Sequence, residues 1–90
     1  MTILEDVLVR GLDVSARPGE DGGVLLEALI GRYLLNADAR VIWQRFDGRR
    51  TVAQVIEAVA AAKGLEPGAV QDSVAEVSAR LLDLRLLERV

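Results

Sequence analysis

The sequence predicts a small α+β domain, with a three-stranded antiparallel sheet packed on a three-helix cluster in a winged-helix-like order. Three observations carry that prediction. Apolar residues follow a period of two, or run together, up to residue 35, and a period near 3.6 from Asn36 onward. A glycine- and proline-rich cluster, Arg17-Pro18-Gly19-Glu20-Asp21-Gly22-Gly23, separates two short apolar segments as a hairpin turn would. Capping signals then bound three helical stretches in succession. With 90 residues the chain suits one domain, residues 1–90, with 1–11 as an N-terminal arm or an extra strand.

In the first strand, Leu12, Val14 and Ala16 alternate with Asp13, Ser15 and Arg17, which predicts one buried face. Residues 24–29 are apolar except for Glu27, as expected of a strand paired on both sides. Gly31 permits a reversal into a third strand, Arg32-Tyr33-Leu34-Leu35, placed late in the meander and so at an edge. Asn36 is an N-cap, and Ala39, Ile42, Trp43 and Phe46 fall on one face of a helix predicted to end at Asp47-Gly48. Thr51 and Gln54 form a capping box for a second helix with Val52, Val55, Ile56 and Val59 inward, and Gly64 stops it. Pro67 opens the third helix. Its stripe is Val70, Val74, Val77, Leu81 and Leu84, with Ala75, Ser78 and Leu82 as a second stripe beside it. That apolar face is wider than one packing contact requires.

Composition removes most chemistries. The chain has no cysteine and no histidine, which excludes disulfides, thiolate nucleophiles, imidazole bases and the usual zinc, copper and haem sites. No phosphate-cradling glycine loop precedes a helix, and Glu20 and Asp21 in the hairpin lack further ligands at calcium-site spacing. We therefore expect no enzyme, no cofactor and no metal. Eleven basic against fourteen acidic residues give a net charge of -3, the wrong sign for a protein that gains affinity by neutralising phosphates. A winged-helix DNA reader contacting phosphates through Arg45, Arg49 and Arg50 is the main rival. Its third helix, however, offers Asp72 and Glu76 outward beside Gln71, Ser73 and Arg80. No apolar run reaches the roughly 18 residues of a membrane span, and the N-terminus lacks signal-peptide character. The expectation is a cytoplasmic protein without membrane or nucleic-acid partners, monomeric or weakly homodimeric. Trp43 and Phe46 are read as core. What remains is an unpaired strand edge beside a broad helix face, a template for strand addition by a peptide, unless residues 1–12 or a second copy cover it.

Residues Tyr33-Leu34-Leu35-Asn36, Ala39, Ile42-Trp43 and Phe46-Asp47-Gly48-Arg49-Arg50-Thr51-Val52-Ala53-Gln54-Val55-Ile56 resemble the pyrroloquinoline quinone biosynthesis protein D (PqqD) family. The likeness covers roughly residues 12–88. It implies a recognition element for ribosomally synthesised and post-translationally modified peptides (RiPPs), which binds a precursor's leader segment by β-strand addition and delivers it to a separate leader peptidase or other modifying enzyme. The implied peptide-binding residues are Arg32, Tyr33 and Leu34 on the strand and Val74, Ala75, Ser78, Leu81, Leu82 and Arg85 on the facing helix. Arg32 and Arg85 are expected to pair with acidic leader residues. The segment before Leu-Asn reads Glu27-Ala28-Leu29-Ile30-Gly31-Arg32 rather than a Pro-Glu-Gly-like form. This resembles the stand-alone proteins of lasso peptide biosynthesis more than a peptide chaperone of quinone biosynthesis.

Overall fold

A computed structural model describes residues 3–29 and 31–90. Met1, Thr2 and Ile30, which the expected 1–90 domain and its N-terminal arm include, lie outside the described residues. After a 3-10 turn at Ile3–Glu5 come β1 (Val7–Arg10), β2 (Ser15–Pro18), a 3-10 turn at Glu20–Gly22, β3 (Val24–Ala28) and β4 (Gly31–Leu35). Then follow α1 (Ala37–Gln44), β5 (Asp47–Thr51), α2 (Val52–Lys63), α3 (Pro67–Asp83) and β6 (Leu87–Arg89).

The expected antiparallel meander is present in the order β2-β3-β4, with β4 at an edge. Its first strand differs from expectation. β2 begins at Ser15 and is exposed along its length, and Leu12 lies outside it, 91% exposed. Of the alternating apolar residues only Val14, which precedes β2, is partly buried against the core, while Leu12 and Ala16 are exposed. The inward face instead comes from Val24 and Leu26 of β3 and Leu35 of β4, all buried. Gly23 is required where β3 begins, since a Cβ there would collide with the Leu35 carbonyl oxygen.

A second sheet, in the order β5-β1-β6, joins three segments far apart in sequence. The N-terminal segment, left open between arm and strand, is β1. Helix α1 stops at Gln44, short of the expected Asp47-Gly48, because residues 47–51 pair with β1 as β5. Phe46 is fully buried all the same, between α1 and β5 in sequence and in the same core cluster as Leu8, Trp43 and Leu87.

The caps form as the sequence predicts. Asn36 Oδ1 accepts the Ala39 N–H at 2.8 Å. Thr51 Oγ1 accepts the Gln54 N–H at 3.1 Å while Gln54 Oε1 accepts the Thr51 N–H at 2.9 Å. Gly64 ends α2 in the left-handed region at φ 68, and Pro67 occupies the first turn of α3. One core unites Leu26, Leu35, Ile42, Trp43, Phe46, Val55, Val59, Val74 and Leu81 with Leu8 and Leu87 of the second sheet. Trp43 is core, as expected of it, and its Nε1–H donates to the Leu86 carbonyl at 3.0 Å, satisfying the one polar atom of a buried indole.

Candidate peptide-binding groove

The outer edge of β4 pairs with no strand among the described residues. Its register determines which backbone groups that edge offers. Ala28 opposes Gly31, with two residues between them in the sequence, and the ladder continues through Leu26 with Tyr33 and Val24 with Leu35. A pair closing so short a turn is hydrogen-bonded in both directions, and pairs alternate from there. Gly31, Tyr33 and Leu35 therefore spend their N–H and C=O groups on β3. Arg32 and Leu34, in the intervening pairs, point theirs outward.

Those groups face an open groove of about 600 Å³ between β4 and α3, which run along it in opposite directions. Arg32, Tyr33, Leu34 and Leu35 form one wall and Val77, Arg80, Leu81 and Leu84 the other, with Asn36 and Ala39 at one end. The lining combines apolar side chains with two arginines. Arg32 lies 3.5 Å from Glu27, which also pairs with Arg17 at 2.9 Å across β3. These exposed pairs contribute little to stability, but they partly satisfy Arg32. Arg80 has no ion pair among the described residues. It is the less encumbered cation on the rim.

Of the residues the resemblance implies, Arg32, Tyr33, Leu34 and Leu81 line this groove and the others do not. Val74 and Ser78 are buried inside the core and present no surface to a peptide. Ala75 and Leu82 lie on the opposite flank of α3, because an α-helix turns about 100° per residue and the core-facing line runs through Val70, Val74, Ser78 and Leu81. Positions 77, 80 and 84 fall on one side of that line, and 75 and 82 on the other. Arg85 follows the helix in the left-handed region at φ 59 and lines a separate pocket. Val77 and Leu84 belong to the apolar stripe visible in the sequence, so the signal for them existed. Arg80, a polar residue on an apolar flank, had none.

The N-terminal segment does not cover this edge as far as it is described. Residues 3–5 pack on α2 and α3, and β1 pairs with β5 and β6. Of the arginines of the rival DNA reading, Arg49 and Arg50 flank an acid, Asp47, that their segment caps. The N–H groups of Arg49 and Arg50 donate to Asp47 Oδ1 at 2.9 and 3.2 Å, and the Arg50 guanidinium lies 4.0 Å from the same carboxylate. Among the described residues no cluster of acidic side chains is arranged to hold a metal, and no helix is long and apolar enough to cross a membrane.

The fold and groove thus define a small winged-helix-like α+β protein with a free strand edge facing a helix. The sequence model of the family "Coenzyme PQQ synthesis protein D (PqqD)" matches residues 22–87, and the chain belongs to this family. Two solved structures share the fold. One is the solution structure of the PqqD truncation of Methylobacterium extorquens PqqCD, representing a functional and stand-alone RiPP recognition element. It has a TM-score of 0.80 and 24% identity, over 99% of this chain and 96% of that one. The other is TbiB1 in complex with the TbiA(beta) leader peptide, with a TM-score of 0.73 and 20% identity over 89% of this chain and 94% of that one. At these identities the likeness establishes the fold. No curated protein sequence matches the chain.

Proposed function

We propose that this protein is a RiPP recognition element that binds the leader segment of a precursor peptide by adding it as a further strand to β4. The observation that carries the reading is the β4 register, which turns the backbone groups of Arg32 and Leu34 toward a groove walled by Val77, Arg80, Leu81 and Leu84. Backbone pairing at those two residues supplies affinity that tolerates sequence variation. Apolar leader side chains against Leu34, Val77 and Leu84 supply selectivity, and Arg80 favours an acidic leader residue in register. That a RiPP recognition element and a complex with a leader peptide share the fold supports the reading.

The protein then needs no catalytic residue. It acts in the cytoplasm by holding the precursor close to a separate enzyme, raising the local concentration of the site to be processed. The Gly31-Arg32-Tyr33 form before Leu35-Asn36 favours a lasso peptide pathway, with a leader peptidase as the receiving enzyme. The family description keeps quinone biosynthesis as the second reading.

The test is an amide NMR titration with the leader half of a short precursor peptide encoded beside the gene, with duplex DNA as control. Shifts confined to residues 31–36 and to the flank of α3 at 77, 80 and 84 are expected, at micromolar or tighter affinity. Silence with peptide together with salt-sensitive shifts at residues 45–50 on DNA would overturn it. Leu34→Pro removes an outward N–H without touching the β3 ladder, so it is expected to weaken peptide binding while circular dichroism stays native.

A further inference from the structure

The groove does not end where β4 ends. Leu84, on its α3 wall, also lines a second pocket of about 230 Å³ beyond the turn that joins β3 to β4. Residues 11–14, 28–29, 84–85 and 88 form that pocket. Its floor is backbone held in place. The Gly11 N–H donates to the Leu86 carbonyl at 3.1 Å, and a Cβ on Gly11 would stand 3.0 Å from the Arg85 carbonyl oxygen. Two leucines at its rim, Leu12 and Leu29, are each 91% exposed, and Leu84 between the pockets is 37% exposed. Leu12, Leu29 and Leu84 thus place three of the six large exposed apolar side chains among the described residues around one pocket. Isolated exposed leucines need no explanation, whereas an aligned set marks a contact surface.

We propose that the peptide added to β4 continues past the Gly31 end of that strand and seats a second apolar side chain in this pocket, making recognition two-point. The inference rests on the leader-binding reading and extends it. The occupant is the same peptide because Leu84 lines both the β4 groove and this pocket, and Ala28 and Leu29 place the pocket at the Gly31 end of β4. The rim charges Asp13, Arg85 and Glu88 are of mixed sign, so the pocket selects for an apolar group rather than for charge. Spacing follows from helix rise. From Val77 to Leu84, the cap of α3, the chain advances about 10 Å, which an extended peptide covers in roughly three to four residues. The leader should therefore carry two apolar positions about three to four residues apart, the first against Val77 and the second between Leu12, Leu29 and Leu84.

The experiment measures fluorescence anisotropy of the labelled leader half of the precursor peptide encoded beside the gene, together with its alanine-scanned forms. It compares the wild-type protein with Leu29→Asp, Leu12→Asp and Leu34→Pro, with sedimentation to read the oligomeric state. Both aspartate variants replace side chains that are almost wholly exposed, so they are expected to keep the fold by circular dichroism. Each should weaken binding at least about tenfold. One alanine-substituted leader position should show the same loss against wild type and no further loss against Leu29→Asp, while the position facing Val77 remains additive. If Leu29→Asp binds like wild type while Leu34→Pro binds weakly, the second point is overturned and the groove stands. If neither weakens binding, the leader-binding reading itself fails. If the wild type sediments as a dimer and Leu29→Asp as a monomer of unchanged peptide affinity, the pocket is an interface between two copies of this chain, and the proposal is overturned.

Discussion

The two sheets have three strands each and are built in opposite ways. The β2-β3-β4 sheet is a local meander within residues 15–35, buries only one side of two strands and leaves an edge exposed. The β5-β1-β6 sheet gathers strands from the beginning, middle and end of the chain, and β5 runs directly into α2 while β6 follows closely on α3. One sheet is thus tied to α2 and α3 through two of its strands, and the other, joined to α1 through β4 alone, presents a free edge. A protein that accepts a strand at one edge, as proposed for this one, has to keep that edge from dictating its own stability. Division of labour between two sheets achieves this.

The largest test of that division compares Phe46→Ala with Leu34→Asp. Phe46 is fully buried beside the tied sheet, and its truncation is expected to cost about 3–5 kcal/mol in urea denaturation. That is a large part of the roughly 5–15 kcal/mol that typically holds a domain folded. Leu34 is mostly exposed on the presenting sheet, and its substitution should change stability by no more than about 0.5 kcal/mol while removing peptide affinity. A large stability loss at Leu34 would break the comparison.

Next in size is Thr51→Ala. Thr51 is the last residue of β5 and the N-cap of α2, so one side chain joins the tied sheet to its helix. Loss of the capping box is expected to cost about 1 kcal/mol, read as a lowered thermal midpoint, with leader binding unchanged. Ser78→Ala moves stability the other way. The Ser78 hydroxyl is buried with no hydrogen-bond partner among the described residues, and replacing it removes a desolvated polar atom from the middle of α3. A gain of up to about 1 kcal/mol is expected. Because Ser78 points into the core and not into the groove, peptide affinity should stay as it is. A weakened affinity would return Ser78 to the binding surface.

What could be read from the sequence divides along the same line. Elements governed by neighbours in the chain were legible: the turn at Gly31, the caps at Asn36 and Thr51, the stop at Gly64, and the edge position of β4. Strands β5 and β6 were not, because Asp47-Gly48-Arg49-Arg50-Thr51 and Leu87-Glu88-Arg89 carry no alternation of their own. They become strands only by pairing with β1, which is far off in sequence. The groove was half legible for a similar reason. The strand wall follows from β4 itself, whereas the helix wall depends on which flank of α3 faces β4. Two apolar stripes lay side by side on that helix, and the one carrying Ala75 and Leu82 turned away from the strand while the one carrying Val77 and Leu84 met it. Ser78, expected with Ala75 and Leu82 in the peptide-facing stripe, lies instead on the buried line.

The smallest effect concerns Asp47, which opens β5. Its carboxyl is held below the ordinary value of 3.8, chiefly by the N–H of Arg49, against some desolvation, with further help from the N–H and charge of Arg50. A depressed carboxylate favours the folded chain when ionised, so its contribution is fully present above the ordinary value and fades as pH falls through the lowered one. Asn in its place can still accept the two backbone N–H groups but carries no charge. The stability difference between wild type and Asp47→Asn should therefore be small and constant near neutral pH and should shrink below about pH 3.8. Because the side chain is exposed, added salt should narrow the part due to Arg50 even at neutral pH. Amide exchange through the same acid range locates the effect: residues 47–51 should loosen before the β2-β3-β4 meander does. If the meander opens first, the tied sheet is not the one that senses this carboxylate, and the division between a holding sheet and a presenting sheet would have to be redrawn at that turn.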